Sequence, residues 1–117
     1  MFYTGTDGKT HPAVRRVREV DGMKVTTWER DIVNCNILEV EAGTNGYHGG
    51  DTGHGSRTYL RIKDQGCTDL HCNVAQDKYG GVDEIEISLG GDAELETIKE
   101  ALRWMLSILE TQSELEG

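Results

Sequence analysis

Near its C-terminus the chain changes from an apolar pattern of period two to one that repeats every three to four residues, and this switch decides what it can fold into. Leu95, Ile98, Leu102, Met105, Leu106 and Leu109 recur at helical spacing, which is one broad apolar stripe of a helix. Gly90-Gly91-Asp92 breaks the segment before it. Asp92 has the side chain of an N-cap, and Glu94 and Glu96 fall in the first turn, where the helix dipole favours negative charge. A helix over 92–110 with its stripe laid on a sheet is the expectation, followed by a short acidic tail, Ser113 to Gly117, expected to be disordered.

The sheet that would receive it is written upstream. Leu38, Val40 and Ala42 alternate with Glu39 and Glu41, and Thr58, Leu60 and Ile62 alternate with Tyr59, Arg61 and Lys63. Leu70, Cys72 and Val74 form a third set, and Ile85, Ile87 and Leu89 a fourth, interleaved with Glu84, Glu86 and Ser88. Each set has the period of a strand with one wet face, so the acidic pairs read as solvated charge. Asp64-Gln65-Gly66 reads as a turn. Before these, Ala13 to Val20 and Met23 to Glu29 flank Asp21-Gly22, a hairpin signal because both turn residues tolerate positive φ. Sequential strands prefer to lie side by side. The expected fold is therefore α+β: an antiparallel meander of five to six strands packed in two layers against one long C-terminal helix. It forms a single domain over 1–117, with a hairpin at 12–30, the sheet at 36–89, and residues 1–11 fraying or docked on a neighbour.

Charge narrows the partners. Twelve basic against twenty-one acidic side chains leave a net charge of −9, which repels nucleic-acid phosphates from most of the surface, so any anion site must be local. No apolar run reaches the length of a membrane helix, and the start has neither the basic flank nor the apolar stretch of a signal peptide, so the expected location is the cytoplasm. Three cysteines without Cys-x-x-Cys spacing argue against a disulfide framework or a zinc knuckle. Arg15, Arg16 and Arg18 form the densest positive charge. They read either as a solvated edge strand blunted by charge or as a basic rim feeding an anion site.

The site candidate is the loop at 43–57, which with Thr58 holds six of the fifteen glycines. Glycines permit positive φ and close approach, and successive backbone N–H groups on one concave side make an anion nest. Arg57 stands where loop becomes strand, placed for a bidentate phosphate contact. Tyr47 and Tyr59 offer aromatic faces, His48 and His54 can donate to phosphate or ribose, and Asn45 and Asp51 can read hydroxyls or base edges. Trp104 lies off the centre of the helix stripe and reads as core, subunit contact or ligand platform. The sequence fits neither a Walker A nor a dinucleotide fingerprint. The competing readings are a self-capped crossover and a metal site of His48, Asp51, His54 and His71. The spacings match no standard zinc set, and no metal or cofactor is expected. A triad from Asp51, His54 and Ser56 would need three groups of one loop to reach a geometry such loops rarely adopt, so no catalytic residue is assigned.

Gly43-Thr44-Asn45-Gly46-Tyr47-His48-Gly49-Gly50-Asp51-Thr52-Gly53-His54-Gly55-Ser56-Arg57-Thr58-Tyr59, with Leu89-Gly90-Gly91-Asp92-Ala93-Glu94-Leu95, resembles small proteins encoded by phages and prophages of Gram-positive bacteria. The resemblance spans Asn36 to Glu110 and brings no assigned activity. It implies a setting of counter-defence in the host cytoplasm, where two non-enzymatic roles fit. One is a sponge for a nucleotide immune signal, such as a cyclic nucleotide or a cyclic ADP-ribose derivative. The other is an acidic decoy of the anti-CRISPR kind that binds a defence protein directly. A sponge needs a local positive pocket and an aromatic platform, which the loop supplies, and a homo-oligomer is expected because one loop excludes water poorly.

Overall fold

A computed structural model of the chain describes residues 1–6, 8–47 and 55–114. Eight strands precede one helix: β1 (Phe2–Thr4), β2 (Thr10–Pro12), β3 (Val14–Val20), β4 (Met23–Val33), β5 (Ile37–Thr44), β6 (Thr58–Gly66), β7 (Leu70–Gln76), β8 (Val82–Leu89) and α1 (Asp92–Ser113). The architecture is α+β and every strand pairing is antiparallel. β3 to β6 form a four-stranded meander in chain order, while β1–β2 and β7–β8 are separate two-stranded ribbons.

The meander begins where the sequence places it. Asp21 and Gly22 both take positive φ, 49° and 81°, and the two-residue turn fixes the register of Val20 against Met23 and Val14 against Glu29. That twist matches the strands it joins. The meander ends earlier than expected. Asp64 to Gly66 belong to β6 rather than to a turn, and the chain turns instead at 67–69. Cys67 takes a positive φ of 58° there, and Asp64 Oδ1 accepts the N–H groups of Gly66 and Thr68 at 2.9 and 3.2 Å. The chain then leaves the sheet, so β7 pairs with β8 and not with β6.

The helix lies on β5 and β4. Leu38, Val40 and Ala42 of β5, Ile32 of β4, and Ala101, Trp104, Met105 and Ile108 of the helix make the core, with Ala13 at its edge. This corrects the orientation expected of the helix. Met105 faces the sheet, and Ile98 and Leu109 pack partly against the core, but Leu95, Leu102 and Leu106 are exposed, and Thr97 and Ala101 are fully buried instead. Small residues at those two positions let the helix backbone sit close to the strands, a fit the larger leucines would prevent. The helix start differs as well. Gly91, at φ 112°, is the N-cap without a side-chain hydrogen bond, and Asp92 lies within the first turn.

Polar groups tie the layers together. Asn36, buried at the β4–β5 turn, donates to Thr68 Oγ1 at 2.8 Å and accepts from Thr97 Oγ1 at 2.9 Å, so two turns and the helix share one satisfied network. At the far end β4 and β5 part beyond Trp28 and Ala42. There the Gln112 amide takes the place of the missing ladder bonds, accepting from Thr44 N at 2.7 Å and donating to Thr26 O at 2.9 Å. Gln112→Ala orphans both backbone groups and is expected to lower stability by about 1–3 kcal/mol, read as a shifted urea midpoint.

Candidate functional site at the glycine-rich loop

The described part of the loop is its doorway. Thr44 and Thr58 are the last paired residues of β5 and β6, and their hydroxyls lie 2.9 Å apart. Thr44 Oγ1 also accepts from Gly46 N at 3.1 Å. Beyond them Asn45 N donates to Arg57 O at 3.2 Å, and Arg57 N donates to Asn45 Oδ1 at 2.8 Å. Asn45 therefore clamps the two feet of the loop, and the intervening residues start and finish at one fixed point. His48, Asp51 and His54 lie outside the described residues.

Beside the doorway is a hollow of about 210 Å³, with Thr44, Gly46, Tyr47, Thr58, Leu109 and Ser113 in its lining. Tyr47 is 67% exposed and has a positive φ of 53°, a left-handed backbone that is uncommon outside glycine and Asn-like residues. Arg57 is held across the end of the sheet: its Nε donates to Asp21 Oδ2 at 3.0 Å and its Nη1 to Ser56 O at 3.1 Å. The Asp21 carboxylate is itself 73% exposed.

Two other residues expected at the site lie elsewhere. Trp104 is in the core, 4% exposed, with its ring edge-on to Tyr3 at 6.5 Å and the Arg30 guanidinium 5.9 Å from its centre. Tyr59 pairs with Gly43 and so stands on the face of the sheet away from the helix, whereas the hollow opens on the helix side. The Tyr59 ring supports the Arg18 guanidinium at 5.5 Å.

That outer face holds the largest departure from the expected wet surface. Glu41 is fully buried. Arg18 grips it through Nε and Nη2, both at 2.6 Å, while Arg61 Nε donates at 3.1 Å and Thr27 Oγ1 at 2.5 Å. Arg61 extends to Glu29 at 3.0 Å and to Glu39, Arg16 pairs with Glu29 at 2.7 Å, and Gln65 donates to Glu39 at 2.6 Å. Burial pushes the Glu41 carboxyl up, but the hydrogen bonds from Arg18, Thr27 and Arg61 outweigh it and hold the group at about 2. Glu39 is lowered by the Arg61 hydrogen bond, against the opposing effect of burial. Asp31 lies at the margin and is raised by burial and by the charges of Glu39 and Glu29. Arg16 and Arg18 are thus ion-paired within the sheet, while Arg15, opposite Trp28, points to the other face.

A second hollow, of about 300 Å³, lies between β4 and the helix. It gathers Lys9, His11, Arg30 and Arg103 with Glu96 and Glu100, and Arg30 and Glu100 are paired at 2.6 Å. Its residues come from three distant segments, so no local motif announces it. Among the described residues no three His, Cys, Asp or Glu side chains gather as a metal would require, and no helix is long and apolar enough to cross a membrane. Compared with known protein families, with curated proteins and with solved structures, the chain matches none.

Proposed function

We propose that the chain is a non-catalytic binding protein that retains a phosphorylated small molecule, of the nucleotide class, at the loop between β5 and β6. In the counter-defence setting that the resemblance implies, the ligand is a nucleotide immune signal of the cyclic nucleotide or cyclic ADP-ribose type. The observation that carries this reading is the state of Arg57: a guanidinium fixed at the foot of a glycine-rich loop by a carboxylate that is mostly in solvent. Such an exposed pair contributes at most about 1 kcal/mol, so a phosphate, which accepts bidentate bonds from the same planar fork, can displace Asp21 without a large loss of folding energy. Tyr47, exposed beside the hollow, supplies an aromatic face of the kind on which a base stacks. The hollow is smaller than the roughly 300–1,000 Å³ of small-molecule sites and Arg57 does not line it, so this reading puts the phosphate beside the hollow, at the Asp21–Arg57 pair.

The decoy role is less well supported. A phosphate mimic displays free carboxylates, and Glu29, Glu39 and Glu41 are each engaged by arginine.

Mass spectrometry of small molecules released on denaturation, after incubation with a panel of cyclic nucleotides and ADP-ribose derivatives, tests the reading. A panel member retained by the wild type and lost from Arg57→Ala, with little change in melting temperature, is the expected result. Asp21→Asn frees the guanidinium and is expected to tighten retention; weaker binding by that variant would mean that Asp21 positions Arg57 for the ligand. Failure of every panel member to bind overturns the proposal.

A further inference from the structure

The rotation of the helix leaves an apolar surface. Leu95, Leu102 and Leu106 occupy one flank of α1, each more than half exposed. That flank is on the β6 side, because Leu109 borders Thr58 in one hollow while Glu96, Glu100 and Arg103 border Arg30 and Asn34 of β4 in another. On the same side, Leu60 and Ile62 of β6 floor a groove of about 310 Å³ whose far wall is the β7–β8 ribbon, with Leu70, Cys72, Ile85 and Ile87. Val74 continues the ribbon's row and is 56% exposed. Along the strand rows no charged residue stands between these apolar positions on the same face, and on the helix Lys99, paired with Glu96 at 3.3 Å, stands between Leu95 and Leu102.

The groove and the ribbon are complementary in form. The ribbon is an arm: apart from Leu70 and Leu89 at its base, β7 and β8 are exposed along their whole length. The chain is correspondingly spread out, with a radius of gyration of 15.5 Å, against about 13 Å for a compact domain of its length. An arm with an apolar row and an apolar groove on the same chain are the two halves of an isologous contact, in which each copy offers to the other what it receives. The area is of the right size. Seven apolar residues at 49–60% exposure in these rows present on the order of 600–700 Å² to a partner, close to the roughly 800 Å² per partner of a stable interface.

We infer that a second copy of this chain covers the groove, the β7–β8 arm of each subunit packing against the Leu60–Ile62 floor and the Leu95–Leu102–Leu106 flank of the other. The contact does not depend on what the loop binds. It places Cys72 inside the interface, although its thiol is exposed in the single chain.

Light scattering on the purified protein is expected to give twice the 13.0 kDa of the chain. In a Cys35→Ser, Cys67→Ser background, Cys72 is expected to react with a thiol reagent at least tenfold more slowly than it does in the same background carrying Leu102→Glu. Leu102→Glu and, separately, Ile87→Glu change exposed positions on opposite sides of the contact, so each is expected to yield a folded monomer with unchanged far-ultraviolet circular dichroism. If one of them fails to fold, the other still reports. A wild-type monomer with rapidly labelled Cys72, an oligomer that both variants leave intact, or a different protein found on the groove would each overturn the inference.

Discussion

Glu41→Gln is expected to lower the stability of the folded chain by about 3 kcal/mol, the low end of the range for removing one member of a buried ion pair. The low end applies because the arginines left behind are 35% and 26% exposed, and water can partly solvate them. Against a total of about 5–15 kcal/mol for a domain of this kind, that is a large fraction. The same group sets the response to acid. The folded-state value of about 2 lies below the ordinary 4.5, so the unfolded chain binds the proton more readily. The contribution is complete above about pH 5 and lost progressively as pH falls towards 2, amounting to about 3 kcal/mol. Glu39, lowered by the same lattice, acts in the same direction, whereas Asp31, raised, opposes both. Urea midpoints measured between pH 7 and pH 2 are expected to fall for the wild type and to change much less for Glu41→Gln. Parallel curves would show that the lattice does not hold the carboxylate.

Trp104→Ala is expected to cost about 3–5 kcal/mol, as truncation of a large buried aromatic does. The indole fills the core between Tyr3, Arg30 and the face of β5, so the loss belongs to folding. Chemical denaturation measures it directly. A variant that kept the wild-type midpoint but lost the ligand would place the ring at the binding site instead.

These two residues show which features a sequence exposes. Asp21-Gly22 was readable because a two-residue turn with both φ positive is a local demand. Leu38, Val40 and Ala42 were readable because alternation along one strand is local too. The burial of Glu41 was not. Alternation puts it on the outer face, as found, but its environment comes from Arg18 and Arg61 on other strands, and only the register brings them to it. The helix orientation is also a matter of context. Its sequence contains two apolar flanks, one of leucines and one of Thr97, Ala101, Trp104, Met105 and Ile108, and hydrophobicity alone favours the first. The sheet took the second, whose small residues allow close approach. At the loop, the sequence marked Asn45, Tyr47 and Arg57 by composition but could not distinguish the clamp, Asn45, from the groups that face solvent. It also gave no sign that Arg57 would find Asp21, thirty-six positions earlier.

Thr44 is bound twice over: its amide to Gln112 in the last turn of α1, and its hydroxyl to Gly46 and Thr58 at the mouth of the loop. The end of the helix and the entrance to the loop therefore share a single hinge pin. A purification handle fused directly after the helix would tug on that pin, so affinities measured with a C-terminal tag and with an N-terminal one need not agree.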